Sequence, residues 1–141
     1  MFAAIPLLAL PVLAYNAYVL TLPGMVSSQE AMAGLSAPLF TMSGAGGTPW
    51  PVSLGDVLLA GSLIVLFIEL LRSTTSHKIA IINHAVSMLL FVACLVELLL
   101  LPAFANSIFF LITLMVLLDV LAGFIVTIVA ARRDVDFIDD R

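Results

Sequence analysis

The sequence predicts an all-α polytopic membrane protein, a four-transmembrane-helix bundle with an outer loop of about 30 residues between the first two helices. Three observations predict it: an apolar composition, four long apolar runs, and basic residues that fall on one side of a four-span chain. Of the 141 residues, 63% are hydrophobic and 10% are charged, and the mean hydropathy is +1.26. Soluble domains are about half apolar and about a quarter charged, so this composition belongs to the membrane class.

The four apolar runs set the bounds of the predicted helices. Each approaches or exceeds the roughly 18–20 residues that cross about 30 Å of hydrocarbon as an α-helix. Pro6 and Pro11 indicate a kinked or irregular start to the first helix. A single membrane domain is expected, with helices over about residues 2–22, 54–72, 79–101 and 107–131, an outer loop over 23–53 and a tail over 132–141.

The basic residues predict the orientation. Arg72 and Lys78 flank the second connection, and Arg132, Arg133 and Arg141 follow the last helix. With four spans, all five basic residues lie on one face, whereas a chain that crossed only three times would divide them between two faces. Because Lys and Arg concentrate on the cytoplasmic side, we expect a multi-pass protein of the inner (plasma) membrane with both termini cytoplasmic.

The outer loop carries two helix-start motifs. Ser27 and Glu30 fit a capping box and predict a short helix through Gly34. Ser53 and Asp56 repeat the same spacing at the start of the second span. Asp56 lies in a first turn, where the helix dipole favours a carboxylate, so its expected role is structural.

Between these motifs the loop is first apolar and then rich in glycine. Residues 38–42 are mostly apolar and residues 43–47 contain three glycines, which predicts a re-entrant or surface-lying hairpin. Trp50, between two prolines, is expected to anchor at the outer membrane interface. The loop carries too little charge for an independent soluble domain, so we expect it to pack over the helices or against a partner.

Three stretches that cover most of residues 53–134 carry a resemblance. They read SLGDVLLAGSLIVLFIELLRST, NHAVSMLLFVACLVELLLLP and FFLITLMVLLDVLAGFIVTIVAARRD. In these stretches the chain resembles small uncharacterised four-helix inner-membrane proteins of bacteria. The resemblance implies that topology and a bacterial inner membrane, and it carries over no activity.

Six polar side chains inside the predicted helices are the candidate functional residues. Such groups are unfavourable in lipid and indicate either pairing or a function. In the functional interpretation they form a chain of titratable groups about 10 Å apart that carries protons through bridging waters. In the structural interpretation they pair across helices, each bond contributing about 0.6 kcal/mol. The six are Asp119, Glu97, His84, Glu69, Asn83 and Asn16.

The two glutamates have candidate partners at similar depth, whereas Asp119 has none that is obvious. The candidate donors are Arg72, His84 and Asn83 for Glu69, and Asn16 and Tyr15 for Glu97. Asp119 is therefore the leading functional candidate. It shares one helix face with Gly123 and Thr127, beside Ala122 and Ala130, and small residues at this spacing predict that Asp119 faces another helix.

Several classes of site lack their minimal parts in this sequence. His77 and His84 lie about 10 Å apart along one helix, so they cannot bind one haem from opposite sides, and a His84–Glu69 metal pair is a minor alternative. Cys94 is the only cysteine, which excludes an intramolecular disulfide. There is no loop nucleophile beside a histidine and no basic patch for nucleic acid. We therefore expect no cofactor, no metal, no nucleic-acid partner and no enzymatic activity.

Three functions remain open. The first is a non-catalytic accessory subunit that docks into a larger or homo-oligomeric membrane assembly, with the lipid bilayer and a membrane-protein partner as its contacts. The second is a proton or cation pathway that uses Asp119 and Glu97. The third is a lipid-binding or quinone-binding protein with a cleft between its helices.

Overall fold

The computed structural model describes residues 5–22, 24, 27–44, 46–73 and 77–139, and their side chains except at 73, 77–81 and 130–139. The described part of the chain is 76% helical. A short 3₁₀ turn, Pro102–Phe104, joins the last two helices. The elements are α1 (Ala9–Leu20), α2 (Ser28–Ser36), β1 (Pro38–Ser43), β2 (Pro49–Ser53), α3 (Leu54–Ser73), α4 (His77–Leu100) and α5 (Ser107–Asp139).

Three helices are long and apolar enough to cross a membrane: Leu54–Arg72, Ile82–Leu100 and Ser107–Val129. They confirm that the second, third and fourth predicted spans are long apolar helices, and they are compatible with a membrane protein. In contrast, α1 has 12 residues, which amounts to about 18 Å of helical rise against about 30 Å of hydrocarbon. A four-helix bundle of full spans is therefore not confirmed: three helices are long enough to cross and α1 is shorter.

The first helix begins at Ala9 and not near residue 2 as predicted, with residues 1–4 outside the described part of the chain. Pro6 lacks an N–H and disfavours a helical residue before it, so the chain enters through a tight turn. In that turn the Ala9 N–H donates to the Pro6 carbonyl at 3.0 Å and the Leu10 N–H to the Leu7 carbonyl at 2.9 Å. Pro11 fits inside the first turn, where its missing N–H has no helical partner to lose.

The last helix continues to Asp139, beyond its expected end at residue 131. After Gly123 the sequence contains no glycine or proline, and nothing local ends the helix. The charged residues that follow Ala131 end the apolar span but not the helix.

The core lies where α5 packs against both α3 and α4. Phe109, Ile112 and Val116 of α5 are fully buried, together with Cys94 of α4. At the end where α3 begins and α4 ends, called the hairpin end below, Tyr15 joins Phe104 and Phe109 in an aromatic cluster with ring centroids 4.7–5.4 Å apart. The apolar faces of α3, α4 and α5 that point outward are exposed.

Both predicted capping boxes are confirmed. The Ser27 N–H donates to Glu30 Oε2 at 2.9 Å while the Glu30 N–H donates to Ser27 Oγ at 3.3 Å. These bonds from the Ser27 backbone and side chain hold the pKa of the exposed Glu30 below its usual range. Ser53 and Asp56 form the same reciprocal pair at 2.9 and 3.2 Å, which starts α3 directly after β2.

The predicted hairpin is an antiparallel pair of strands. Its register places Phe40 opposite Val52 and Met42 opposite Trp50, with an irregularity between Pro38 and Phe40. Because β2 runs into α3 without a linker, the hairpin stands at one end of the helices. Its position agrees with the expectation that the loop lies outside the spans.

Candidate functional site

Glu69 of α3 is the most extensively bonded carboxylate in the spans. Its side chain is 1% exposed, and it accepts hydrogen bonds from the Leu7 N–H at 2.8 Å and from Asn83 Nδ2 at 2.5 Å. Arg72 Nη1 lies 3.7 Å from Glu69 Oε2. The expected pairings with Arg72 and Asn83 are both present, and together with Leu7 they tie α1, α3 and α4 to one carboxylate.

The Leu7 bond explains why a carboxylate is useful at this depth. The first N–H groups of a helix have no intrahelical acceptor, and lipid offers none. Glu69 supplies an acceptor to the Leu7 N–H ahead of α1, where the positive end of the helix dipole also favours a negative charge. Sequence reasoning missed Leu7 because its side chain gives no sign that its backbone needs a partner.

Glu97 of α4 forms the second pair, near the hairpin end. Asn16 Nδ2 donates to Glu97 Oε2 at 3.3 Å and also to the Val12 carbonyl at 3.1 Å, as expected for one of the two proposed donors. Tyr15 instead donates to the Ala103 carbonyl at 3.0 Å. This tyrosine therefore holds α1 against the turn between α4 and α5.

Asp119 of α5 forms the third pair, with a residue that sequence reasoning did not consider. Ser87 Oγ of α4 donates to Asp119 Oδ2 at 2.7 Å, and the two side chains are 1% and 5% exposed respectively. Asp119 therefore has a partner at its own depth in this chain, although none was obvious from the sequence. The sequence could have indicated this pair. Ser87 and Asp119 lie at nearly equal distances along the chain from the connection between α4 and α5, so they lie at the same depth in two antiparallel helices.

The small residues near Asp119 contact α4, as their spacing predicts. A Cβ built on Gly123 would lie 2.5 Å from His84 Nδ1, so the glycine is what lets the imidazole approach α5. Thr127 Oγ1 donates to the Gly123 carbonyl at 2.9 Å, and its side chain is exposed at the rim of this contact. Ala122 is half-buried, and the side chain of Ala130 lies outside the described residues.

A polar cavity of about 20 Å³ lies between α4 and α5 beside the Asp119–Ser87 bond. This volume suits one water-sized occupant. Two atoms of its lining residues, Asn83 Oδ1 and His84 Nδ1, are buried and have no hydrogen-bond partner among the described residues. The lining residues are Asn83, His84, Ser87, Asp119, Gly123, Val126 and Thr127.

An apolar layer separates the Asp119 pair from the Glu97 pair. Ser87 and Glu97 are ten residues apart on α4, about 15 Å along the helix axis. Cys94 of α4 and Ile112 and Val116 of α5, all fully buried, fall between the two pairs, with Leu66 of α3 beside them. The buried hydroxyls at this depth, Ser62 and Thr113, donate to carbonyls of their own helices. The predicted chain of titratable groups is thus interrupted here, because this layer of the described bundle contains no carboxylate or imidazole.

The described residues contain no group of three or more His, Cys, Asp or Glu side chains placed to hold a metal ion. The side chain of His77 lies outside this description. Comparisons with protein-family models, with curated proteins and with solved structures return no match for this chain.

Proposed function

We propose that this chain is a non-catalytic integral membrane subunit that docks into a larger or homo-oligomeric membrane assembly. The observation that carries the proposal is the β1–β2 hairpin, which combines an exposed apolar face with one open strand edge. A strand from another protein can pair with such an edge and cover the apolar face at the same time, whereas water satisfies only the edge.

The apolar face of the hairpin is built from two cross-strand pairs. Directly opposite residues share a face of a sheet, so Phe40, Val52, Met42 and Trp50 lie together. Phe40, Met42 and Trp50 are between 50% and 62% exposed. No charged residue occurs between Glu30 and Asp56, so two copies of this face can meet without like-charge repulsion.

The two edges of the hairpin differ. The Gly44 N–H donates to the Thr48 carbonyl at 3.0 Å. In an antiparallel pair, successive residues point their backbone groups alternately towards and away from the other strand. Counting from Gly44, the N–H and C=O groups of Thr41 and Ser43 point away from β2. The outward positions of β2 include Pro49 and Pro51, which have no N–H to donate. The edge of β1 is thus the one suited to pairing, and a single open edge favours a closed pair of strands over an open stack.

The membrane topology belongs to the same proposal. The start of α1 reaches Glu69 of α3 through Leu7, and Tyr15 reaches Ala103 at the hairpin end. Because α1 thus follows much of the length of the bundle, we place it as a short fourth crossing in a bacterial inner membrane, with both termini cytoplasmic.

The basic residues predict the same orientation whether or not α1 crosses the membrane. If α3, α4 and α5 cross and α1 does not, the basic residues still lie at one end of the helices: where α3 ends, where α4 begins and after the span of α5. The expectation that three crossings would divide them is wrong for this set of three. The positive-inside rule then assigns the end opposite the hairpin to the cytoplasm.

A groove on α3 favours lipid binding as a second candidate function. It has a volume of about 430 Å³ and is lined by Leu63, Ile64, Leu66, Phe67 and Leu70. Quinone sites fix the head group with a few placed polar groups, and this lining has none, so an acyl chain suits it better. The proton or cation pathway is the weakest of the three functions because the apolar layer interrupts it.

A substitution at the open edge tests the docking proposal. Thr41→Pro removes one outward N–H and reproduces on β1 what Pro51 already does on the opposite strand. We expect this variant to run as a smaller species in mild detergent, while Thr41→Val keeps the backbone donor and the native size. Equal sizes for the two variants, or a wild-type chain that is monomeric in the membrane, would contradict the proposal.

A cross-linking experiment identifies the partner. In a Cys94→Ala background, Thr41→Cys places the only cysteine at the open edge. Antiparallel pairing of two β1 strands about Thr41 brings the two thiols within disulfide reach. Oxidation in membranes should then give a dimer of this chain, whereas a mixed disulfide or an unreacted thiol points to a different subunit.

A further inference from the structure

The hydroxyl and amide groups around the cavity between α4 and α5 already donate hydrogen bonds to other groups. What they still offer is their acceptor atoms. The Ser87 hydroxyl donates to Asp119 at 2.7 Å and the Thr127 hydroxyl to the Gly123 carbonyl at 2.9 Å. The Asn83 amide nitrogen is turned towards Glu69, to which it donates at 2.5 Å. This bond fixes the amide orientation and leaves Asn83 Oδ1 as the free end.

The oxygen atoms that remain around the cavity are all electron-pair donors. Asn83 Oδ1 and His84 Nδ1 are buried without a partner among the described residues. The hydroxyl oxygens of Ser87 and Thr127 keep lone pairs after donating their hydrogens, and the Asp119 carboxylate adds a negative charge. Such a set of ligands is complementary to a positive ion.

The balance of charge distinguishes Asp119 from Glu69. Glu69 has Arg72 at 3.7 Å, whereas Asp119, 5% exposed, forms no ion pair with a described Lys or Arg side chain. Oxygen ligands with a single carboxylate suit a small hard cation of low charge, since transition metals prefer clusters of imidazole or thiolate. The volume of about 20 Å³ admits one small ion.

We propose that this cavity binds a small monovalent cation of the Na⁺ class, with Asp119 as its charged ligand and Asn83 and Ser87 as neutral ligands. The cation joins α4 to α5 at the point where Gly123 lets His84 approach. It is a bound ion and not one in transit, because Cys94, Ile112 and Val116 close the bundle between this cavity and Glu97. This proposal is independent of docking through the hairpin.

Sodium binding to the purified full-length chain tests the site. We expect radioactive sodium to bind with a stoichiometry of a single ion per chain, and the Tm to be higher in sodium chloride than in choline chloride at equal ionic strength. Asp119→Asn should abolish both effects. Glu97→Gln removes a carboxylate of the same bundle outside the cavity, and it should retain both.

Three results would overturn the proposal. They are an absence of sodium binding by the wild-type chain, equal Tm values in sodium and choline, and binding that survives in Asp119→Asn. Should Asp119→Asn fail to fold, Ser87→Ala provides the second comparison. It should weaken sodium binding at least several-fold, and unchanged binding would also refute the site.

Discussion

Glu69 and Asp119 are both buried carboxylates in long apolar helices, and they differ in the groups that bond to them. Glu69 has a backbone N–H, an amide nitrogen and a guanidinium within reach, so its charge is compensated from three directions. Asp119 has one serine hydroxyl and a cavity. Glu69, with donors and a guanidinium around it, joins helices. Asp119 has no described Lys or Arg side chain beside it and shares a cavity with His84, which leaves it better placed to bind a cation.

Removing the better-satisfied carboxylate should have the largest effect. Glu69→Ala leaves the Leu7 N–H, the Asn83 amide and Arg72 without their shared acceptor. We expect a loss of about 2–6 kcal/mol in the free energy of unfolding, because the Leu7 N–H and the Asn83 amide lose their acceptor at about 1–3 kcal/mol each. Unfolding in mixed detergent measures it, with Glu30→Ala at the exposed capping box as the control. A loss no larger than that of the control would show that Glu69 is not the hub of the bundle.

A methyl group at Gly123 tests the close approach beside Asp119. In Gly123→Ala the new Cβ meets His84 Nδ1, and we expect a loss of about 1–3 kcal/mol from overpacking at the α4–α5 contact.

Gly61→Ala is the matched control for that substitution. Gly61 also lies in a long helix, but a Cβ there has nothing within 4 Å, so helix propensity should make this variant neutral or slightly more stable. A comparison of the two Tm values measures the difference. Equal changes in Tm would show that His84 moves aside for the new methyl group at no cost in stability.

The most direct contrast replaces each carboxylate by its amide. In sodium-free buffer, Glu69→Gln should lower stability and Asp119→Asn should raise it, each by on the order of 1 kcal/mol. The signs differ because Glu69→Gln removes a charge that Arg72 compensates, whereas Asp119→Asn removes a buried charge with no Lys or Arg partner among the described side chains. Thermal unfolding in choline chloride measures both variants. If both stabilities change in the same direction, the distinction between the two sites is wrong.

Much of the fold follows from local features of the sequence. Apolar runs located α3, α4 and α5 because crossing the bilayer depends on summed hydrophobicity over about 20 residues. The capping boxes at Ser27 and Ser53 and the hairpin before Trp50 depend on near neighbours in the chain, and they were predicted for that reason. The short α1 and the long α5 were not, since helix ends respond to single features such as Pro6.

The candidate site was predicted in its residues but not in its pairings. Asp119, His84, Asn83 and Gly123 stand out in the sequence as polar or small residues in apolar helices. Nothing in the sequence states how α4 and α5 are rotated about their axes, which decides that Ser87 meets Asp119 and that Gly123 meets His84.

By itself, the sequence determined the apolar composition of this protein, its three long apolar helices and the presence of a carboxylate at Asp119, because these depend on composition and on short-range pattern. Only the tertiary structure decided that Glu69 serves the backbone of Leu7, that Asp119 has a partner in Ser87, and that a cavity remains beside it. These contacts join residues far apart in the chain, so they depend on helix packing and on backbone groups that every residue carries alike.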